Sequence, residues 1–127
     1  MDIEQTREYC LSFPHATENV QWGNDLVFKI AGKMFAVIAL DAAARYVMSC
    51  KATDEKFVEL TEREGIDPAP YMARNKWVAL QSFGAMRDKE LKGLLRTSYD
   101  LVFAKLPKKT QSELNSRAER ASVRKRR

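Results

Sequence analysis

The chemically richest stretch of the sequence is the run Arg74-Asn75-Lys76-Trp77. Arginine and lysine neutralise phosphates, asparagine forms hydrogen bonds with base edges, and tryptophan offers a surface on which a base can stack. Lys29, Lys33 and Lys51 are expected on the same surface, because Lys29 and Lys51 alternate with the apolar residues of two predicted strands. This pattern predicts a nucleic-acid-binding face. The competing interpretation is that Trp77 packs within the sheet and the basic residues are simply solvated.

A second basic segment lies at the C-terminal end of the sequence. Residues 108–127 carry eight basic and two acidic residues, a net charge of +6, whereas residues 1–107 carry fourteen basic and fifteen acidic residues, a net charge of −1. The tail is therefore the second candidate for salt-dependent phosphate contact without sequence preference. Its candidate residues are Arg117, Arg120, Arg124, Lys125, Arg126 and Arg127. The alternative is that the tail only solubilises the protein.

Aromatic side chains allow a different kind of site. Trp22, Tyr71, Trp77 and Tyr99 could line a pocket for a small ligand or a peptide, with Lys29 or Arg74 holding a carboxylate or a phosphate. Aromatic residues in a domain of this size also serve as core residues, so this pocket stays an alternative to the nucleic-acid site.

Signatures of catalysis do not occur in the sequence. It contains no G-x-S-x-G elbow, no G-x-x-x-x-G-K-[ST] phosphate loop and no dinucleotide-binding fingerprint. Cys10 and Cys50 each lie among apolar neighbours and are expected to be buried free thiols, and His15 is the only histidine. We therefore expect a binding protein that is not an enzyme, with no cofactor and no metal site.

The elements that must position these residues follow the order α-β-β-β-α-β-α. Helices are predicted from Asp2 to Ser12, after Thr53 and from Asp88, where the apolar residues recur at helical spacing. Asp2 with Gln5, and Thr110 with Glu113, resemble capping boxes, and Thr53 and Asp88 are predicted helix caps. Strands are predicted at Leu26 to Ile30, Met34 to Leu40, Arg45 to Lys51 and Lys76 to Gln81, whereas His15 to Asp25 is predicted to be loop. Short connections between the first three strands indicate an antiparallel meander.

The fold class predicted from this order is α+β. It consists of two layers, an antiparallel sheet and helices packed mainly on one of its faces. The domain is expected to span residues 1–107, and residues 108–127 form a basic C-terminal tail, flexible or weakly helical. The chain has no apolar run near the roughly 20 residues that a membrane span needs. Nor does its N-terminus show the basic-then-apolar pattern of a signal peptide, so we expect a cytoplasmic protein with no membrane partner.

Several segments, in their order and spacing, resemble the MmcQ/YjbR family over about residues 1 to 109. They are Leu11-Ser12-Phe13-Pro14, Trp22-Gly23, Leu26-Val27-Phe28-Lys29-Ile30, Gly32-Lys33-Met34-Phe35-Ala36, Cys50-Lys51, Pro70-Tyr71-Met72, Lys76-Trp77-Val78, Ser98-Tyr99-Asp100-Leu101-Val102 and Ala104-Lys105-Leu106-Pro107.

The resemblance implies a two-layer α+β fold with an antiparallel sheet and the label "double-wing DNA-binding", which rests on fold comparison. It brings no catalytic residues. A common family form reads close to His-Met-Asn-Lys before the tryptophan, whereas this chain reads Tyr71-Met72-Ala73-Arg74-Asn75-Lys76-Trp77. A proton-transfer role for that histidine is therefore not expected here.

Overall fold

The computed structural model describes the backbone of residues 1–125 and the side chains of residues 1–117. Its α-helices are α1 Ile3–Leu11, α2 Asp54–Thr61, α3 Asp88–Ala104 and α4 Lys108–Lys125. Its strands are β1 Thr17–Gln21, β2 Asp25–Ile30, β3 Lys33–Ala39, β4 Met48–Lys51, β5 Ile66–Pro68 and β6 Trp77–Leu80. Short 3-10 turns at Ala73–Asn75 and Phe83–Ala85 flank β6.

The six strands form one antiparallel sheet in the order β1-β2-β3-β4-β6-β5. The predicted α+β class, the antiparallel meander and the strand at β6 are confirmed. The prediction of loop from His15 to Asp25 is wrong, because β1 adds an edge strand there. A second edge strand, β5, lies in the proline-containing segment for which no strand was predicted. Both were missed because edge strands are short, and in β1 the exposed residues do not alternate with buried ones.

The main core lies between the sheet and the helices. Alternate residues of β2, including Leu26, Phe28 and Ile30, meet the apolar stripe of α3 on this side. Helix α1 begins at its predicted capping box: the Gln5 amide N–H donates to the Asp2 carboxylate at 2.8 Å, and the Asp2 amide N–H donates to the Gln5 side chain at 3.2 Å. The predicted cap of α3 at Asp88 is wrong. Arg87 occupies the N-cap position, and the Asp88 carboxylate accepts a hydrogen bond from the Met1 amino group at 2.6 Å.

Next to a bulge in β3, a side chain of α3 forms hydrogen bonds with the backbones of two strands. Phe28 pairs with Ala36 and Lys29 with Met34, so Phe35 is left as the extra residue. The buried Ser98 hydroxyl fills the resulting gap between β3 and β4. Its oxygen accepts the Lys51 amide N–H at 2.9 Å, and its O–H donates to the Phe35 carbonyl at 2.5 Å. Ser98 therefore completes the ladder at the point where β4 ends.

Helix α4 continues directly from the domain at residue 107. It begins at Lys108, so the Thr110 to Glu113 capping-box pattern lies inside its first turns. Leu114 is buried against the main core, and its carbonyl accepts a hydrogen bond from His15 Nε2 at 2.9 Å. Among the residues that the structure describes, no helix is long and apolar enough to cross a membrane, and no three His, Cys, Asp or Glu side chains form a group that could hold a metal ion.

Candidate anion-binding cleft

The sheet face opposite the main core carries a second, smaller apolar cluster. Trp77, Ala79 and Ala69 are its buried members, and Met34, Val37, Tyr46 and Met72 pack against them. The segment after β5 stays beside β6, since the Ala69 amide N–H donates to the Trp77 carbonyl at 2.9 Å and the Trp77 amide N–H donates to the Met72 carbonyl at 3.2 Å. Ala69 and Met72 of this segment pack in the cluster with Trp77. Trp77 is only 4% exposed. Its ring therefore does not offer a free stacking surface.

A cleft of about 430 Å³ opens beside this cluster. The starts of β3 and β6 and the ends of β4 and α3 meet there, at one end of the sheet. Its wall is partly apolar and partly cationic, with no aspartate or glutamate among the lining residues. These are Lys33, Met34, Lys51, Met72, Asn75, Trp77, Val102 and Lys105.

The three lysines of the cleft come from three different elements. Lys33 is the first residue of β3, Lys51 is the last residue of β4, and Lys105 is the C-cap of α3. Among the ion pairs of the described side chains, none includes any of the three. An anion entering the cleft would therefore meet cations that are not already neutralised by a carboxylate.

Lys51 differs from the other two lysines because it is half-buried and held in place. Its Nζ donates to the backbone carbonyl of Asn75 at 2.7 Å, and its own amide N–H is bound by Ser98. Burial lowers the pKa of Lys51, and the neighbouring Lys105 ammonium lowers it further, while Asp54 acts in the opposite direction. At a given pH, a larger fraction of the Lys51 side chain is therefore in the neutral amine form than for an ordinary surface lysine.

Seven residues of the domain, outside the C-terminal tail, were predicted for a nucleic-acid site, and the structure brings four of them together. Lys33, Lys51, Asn75 and Trp77 line the cleft, whereas Lys29, Arg74 and Lys76 do not. Lys29 lies on β2 beside Met34 in register. Arg74 is exposed on the 3-10 turn, and the Lys76 ammonium lies 5.2 Å from the centroid of the Phe57 ring on α2.

Lys105 is the charged lining residue of the cleft that the sequence reasoning missed, together with the apolar residues Met34, Met72 and Val102. A signal for it was present. Lys105 ends the apolar stripe of α3, seven residues after Ser98 and three after Val102, so a cation stands where the periodicity favours an apolar side chain.

The four aromatic residues of the alternative pocket lie apart. Trp22 is 66% exposed in the turn between β1 and β2, and Tyr71 is fully exposed. Tyr99 is buried in the main core, where its hydroxyl donates to the Pro14 carbonyl at 2.7 Å. Trp77 lies on the opposite face of the sheet. Of the four, only Trp77 lines the cleft.

The tail candidates are described only in part. Arg117 is exposed on α4. The side chains of Arg120, Arg124 and Lys125, and the whole of Arg126 and Arg127, lie outside the described residues.

Comparison with known proteins places this fold. A model of the YjbR family matches residues 11–101. The chain belongs to the YjbR family. A crystal structure of a Deinococcus radiodurans protein with a DUF419 domain is similar to it, with 28% identity, a TM-score of 0.78, and coverage of 89% of this chain and 87% of the other.

A Pseudomonas syringae protein of known structure is similar in fold, with 22% identity, a TM-score of 0.65, and coverage of 80% of this chain and 99% of the other. None of the curated proteins compared with this YjbR-family chain matches it. These descriptions name a domain and no activity. Lys33, Lys51, Asn75 and Trp77 fall within the matched range, whereas Lys105 and α4 follow it.

Proposed function

We propose that this YjbR-family protein is a non-enzymatic binding protein for a small anionic ligand. The ligand carries a carboxylate or a phosphate and an apolar part, and it binds in the cleft between β3, β4, β6 and α3. The observation that supports this proposal is the placement of Lys33, Lys51 and Lys105 around an apolar wall without a lining carboxylate.

The charge arrangement favours an anion. Like charges held together in a partly desolvated site repel one another, and a bound anion converts that repulsion into attraction. Some basic side chains of the described surface already have an acidic partner, as Arg7 has Glu18 at 2.5 Å and Arg96 has Asp100 at 3.2 Å. The three lysines of the cleft have no such partner among the described side chains, and they also share one cleft.

The size and wall of the cleft favour a small molecule. Its volume of about 430 Å³ lies within the usual range of small-molecule sites, roughly 300–1,000 Å³. Met34, Met72 and Val102 supply adaptable apolar contacts, and the Asn75 side chain supplies a polar one. A ligand with one charged end and one apolar end satisfies both kinds of wall.

The test is fluorescence titration of a Trp22→Phe variant, in which Trp77 remains the only tryptophan. Inorganic phosphate, phosphorylated metabolites and short carboxylates serve as probes. We expect saturable changes that Lys51→Met and Lys105→Met weaken, by about 10-fold or more for each charged hydrogen bond removed. Lys89→Met, at an exposed position of α3, is the matched control. Equal affinities in all variants would reject the cleft.

Nucleic acid is the second candidate, favoured by the exposed basic residues of α4. Lys108, Lys109 and Arg117 are exposed within residues 108–117, the part of α4 whose side chains are described, and Glu113 is the only acidic residue of that part. If the phosphates of duplex or single-stranded DNA bind to α4, and to Arg74 and Lys33 of the folded domain, this would account for the double-wing DNA-binding label.

Replacing the basic residues of the tail by neutral ones tests this candidate better than deleting the tail, because removing residues 108–127 would also remove the buried Leu114. We expect DNA binding measured by anisotropy to fall steeply with salt. Changing Arg117, Arg120, Arg124 and Lys125 to glutamine should reduce the slope of log K against log salt by about 0.9 for each phosphate that is no longer neutralised. An unchanged slope would remove the tail from the interface and make Arg74 and Lys33 the next substitutions. Absence of binding by the unmodified protein would reject nucleic acid as a partner.

A further inference from the structure

We propose that Lys51 forms a reversible imine with its ligand, so that the ligand of the cleft is an aldehyde or ketone that also carries a carboxylate or phosphate. This inference rests on the proposed function and narrows its ligand class. It assigns different roles to the three lysines: Lys51 bonds the carbonyl carbon, while Lys33 and Lys105 hold the anionic group.

Position distinguishes Lys51 from the other lysines of the cleft. Its backbone is tied to α3 through Ser98, and its Nζ is tied to the Asn75 carbonyl at 2.7 Å, so both ends of the side chain are held. Lys33 and Lys105, by contrast, are exposed. A held amine loses less conformational freedom when it forms a bond than a freely rotating surface lysine does.

The surroundings of Lys51 favour the neutral amine, which is the nucleophilic form. Burial and the Lys105 ammonium both lower its pKa. Lys33 and Lys105 are the other charged residues that line the cleft. The pKa of Lys51 responds to two neighbouring charges, the Lys105 ammonium and the Asp54 carboxylate. Only Asp54 favours the charged amine, and burial outweighs its effect.

The wall of the cleft suits an imine. Trp77, Met72 and Val102 provide an apolar wall beside the bond that would form. The Asn75 carbonyl accepts one N–H of Lys51, and the lone pair of the neutral amine remains available for attack. Lys105 provides the nearby cation, which is a recognised way of activating a lysine.

The reaction balances without any further reagent. The neutral Nζ of Lys51 attacks the carbonyl carbon, forming a C–N bond and a carbinolamine. The two N–H protons of the amine then leave with the carbonyl oxygen as one molecule of water, and a C=N bond remains. Addition of water reverses each step, so the amine and the carbonyl compound are recovered.

The test uses the full chain, with pyridoxal 5′-phosphate as an aldehyde-bearing phosphate probe and borohydride to reduce the imine. The protein is treated with less than one equivalent of probe at neutral pH, reduced and mapped by peptide mass spectrometry. We expect one dominant adduct at Lys51 among the eleven lysines of the chain. Lys51→Arg should abolish that adduct, and the control Lys89→Arg should leave it unchanged. Labelling spread evenly over exposed lysines would overturn the proposal.

A second variant separates chemistry from folding. Lys105→Met removes the neighbouring cation, so the pKa of Lys51 should rise and the pH profile of labelling should move to higher pH. At neutral pH the yield should fall by about 10-fold for each unit of that rise. A profile that does not move would show that Lys105 does not activate Lys51, and the proposed division of roles would be wrong.

Pyridoxine 5′-phosphate, which has an alcohol in place of the aldehyde, distinguishes this inference from the function on which it rests. If thermal shifts show that this alcohol binds in the cleft while the aldehyde is not trapped at Lys51, the imine is rejected and the anion site stands. If neither phosphate compound binds and no adduct forms, the anion site itself is rejected.

Discussion

Replacing Ser98 with alanine removes the hydroxyl that joins α3 to two strands, and we expect it to be one of the most destabilising single-atom changes in this chain. Ser98 is fully buried. Its oxygen accepts the Lys51 amide N–H at 2.9 Å and its O–H donates to the Phe35 carbonyl at 2.5 Å. Alanine fills nearly the same space, so reduced packing contributes little and the effect comes from two backbone groups left without a partner.

The expected magnitude follows from those two groups. Each buried donor or acceptor left unsatisfied costs roughly 1–3 kcal/mol. The bulge at Phe35 prevents the two strands from closing the gap between themselves, because the register ends at Ala36 and Cys50. We therefore expect Ser98→Ala to lower the free energy of unfolding by about 2–6 kcal/mol. It should also weaken anion binding, since the backbone of Lys51 loses its anchor.

Urea denaturation followed by circular dichroism measures this change, provided that the slope with denaturant stays constant. Ser112→Ala is the matched control, because Ser112 is exposed on α4 and its removal should change stability by no more than about 0.5 kcal/mol. A decrease below about 1 kcal/mol for Ser98→Ala, with an unchanged slope, would refute the reasoning that this hydroxyl completes the β3–β4 ladder.

Three further predictions concern the core. Burial raises the pKa of Cys10 to about 12 and raises that of Cys50 as well, so both thiols should stay protonated and unreactive toward a disulfide reagent at pH 8, and should react at once in denaturant. Rapid labelling of the native protein would contradict their placement. Tyr99→Phe loses the hydrogen bond to the Pro14 carbonyl and should cost about 1 kcal/mol in chemical denaturation; no measurable decrease would mean that the bond adds nothing. Leu114→Ala should lower amide hydrogen-exchange protection in α4 before that of the sheet, and cost about 2 kcal/mol; an equal decrease of protection everywhere would contradict separate docking of α4.

Local sequence patterns were sufficient wherever one element's own residues decide its structure. The capping box at Asp2 and the apolar stripe of α3 involve neighbours three or four residues apart, and both were predicted correctly. Edge strand β1 was missed because a strand at the rim of a sheet needs a partner, here β2, more than an alternating pattern of its own. Helix α3 begins at Asp88 as predicted, but its N-cap is Arg87 and not Asp88, and the Asp88 carboxylate has its partner in the Met1 amino group, distant in sequence.

The candidate site shows the same division. Alternation along β4 correctly placed Lys51 on the face away from the main core, and Asn75 and Trp77, close in sequence, both line the cleft. Sequence spacing could not reveal that Trp77 is buried among Ala69, Met72 and their neighbours, so that its ring is part of the cleft wall and not a free stacking surface. Nor could it reveal Lys105, which reaches the cleft only because α3 ends above the end of β4.

The sequence by itself therefore determined the α+β class, the antiparallel meander and the concentration of positive charge in residues 108–127, since these depend on composition and short-range periodicity. The tertiary structure alone decided which charges meet. Lys33, Lys51 and Lys105 are separated by long stretches of chain, and they share one cleft because antiparallel strands and a helix end at the same side of the sheet. Convergence of distant residues is a property of packing, and no local pattern records it.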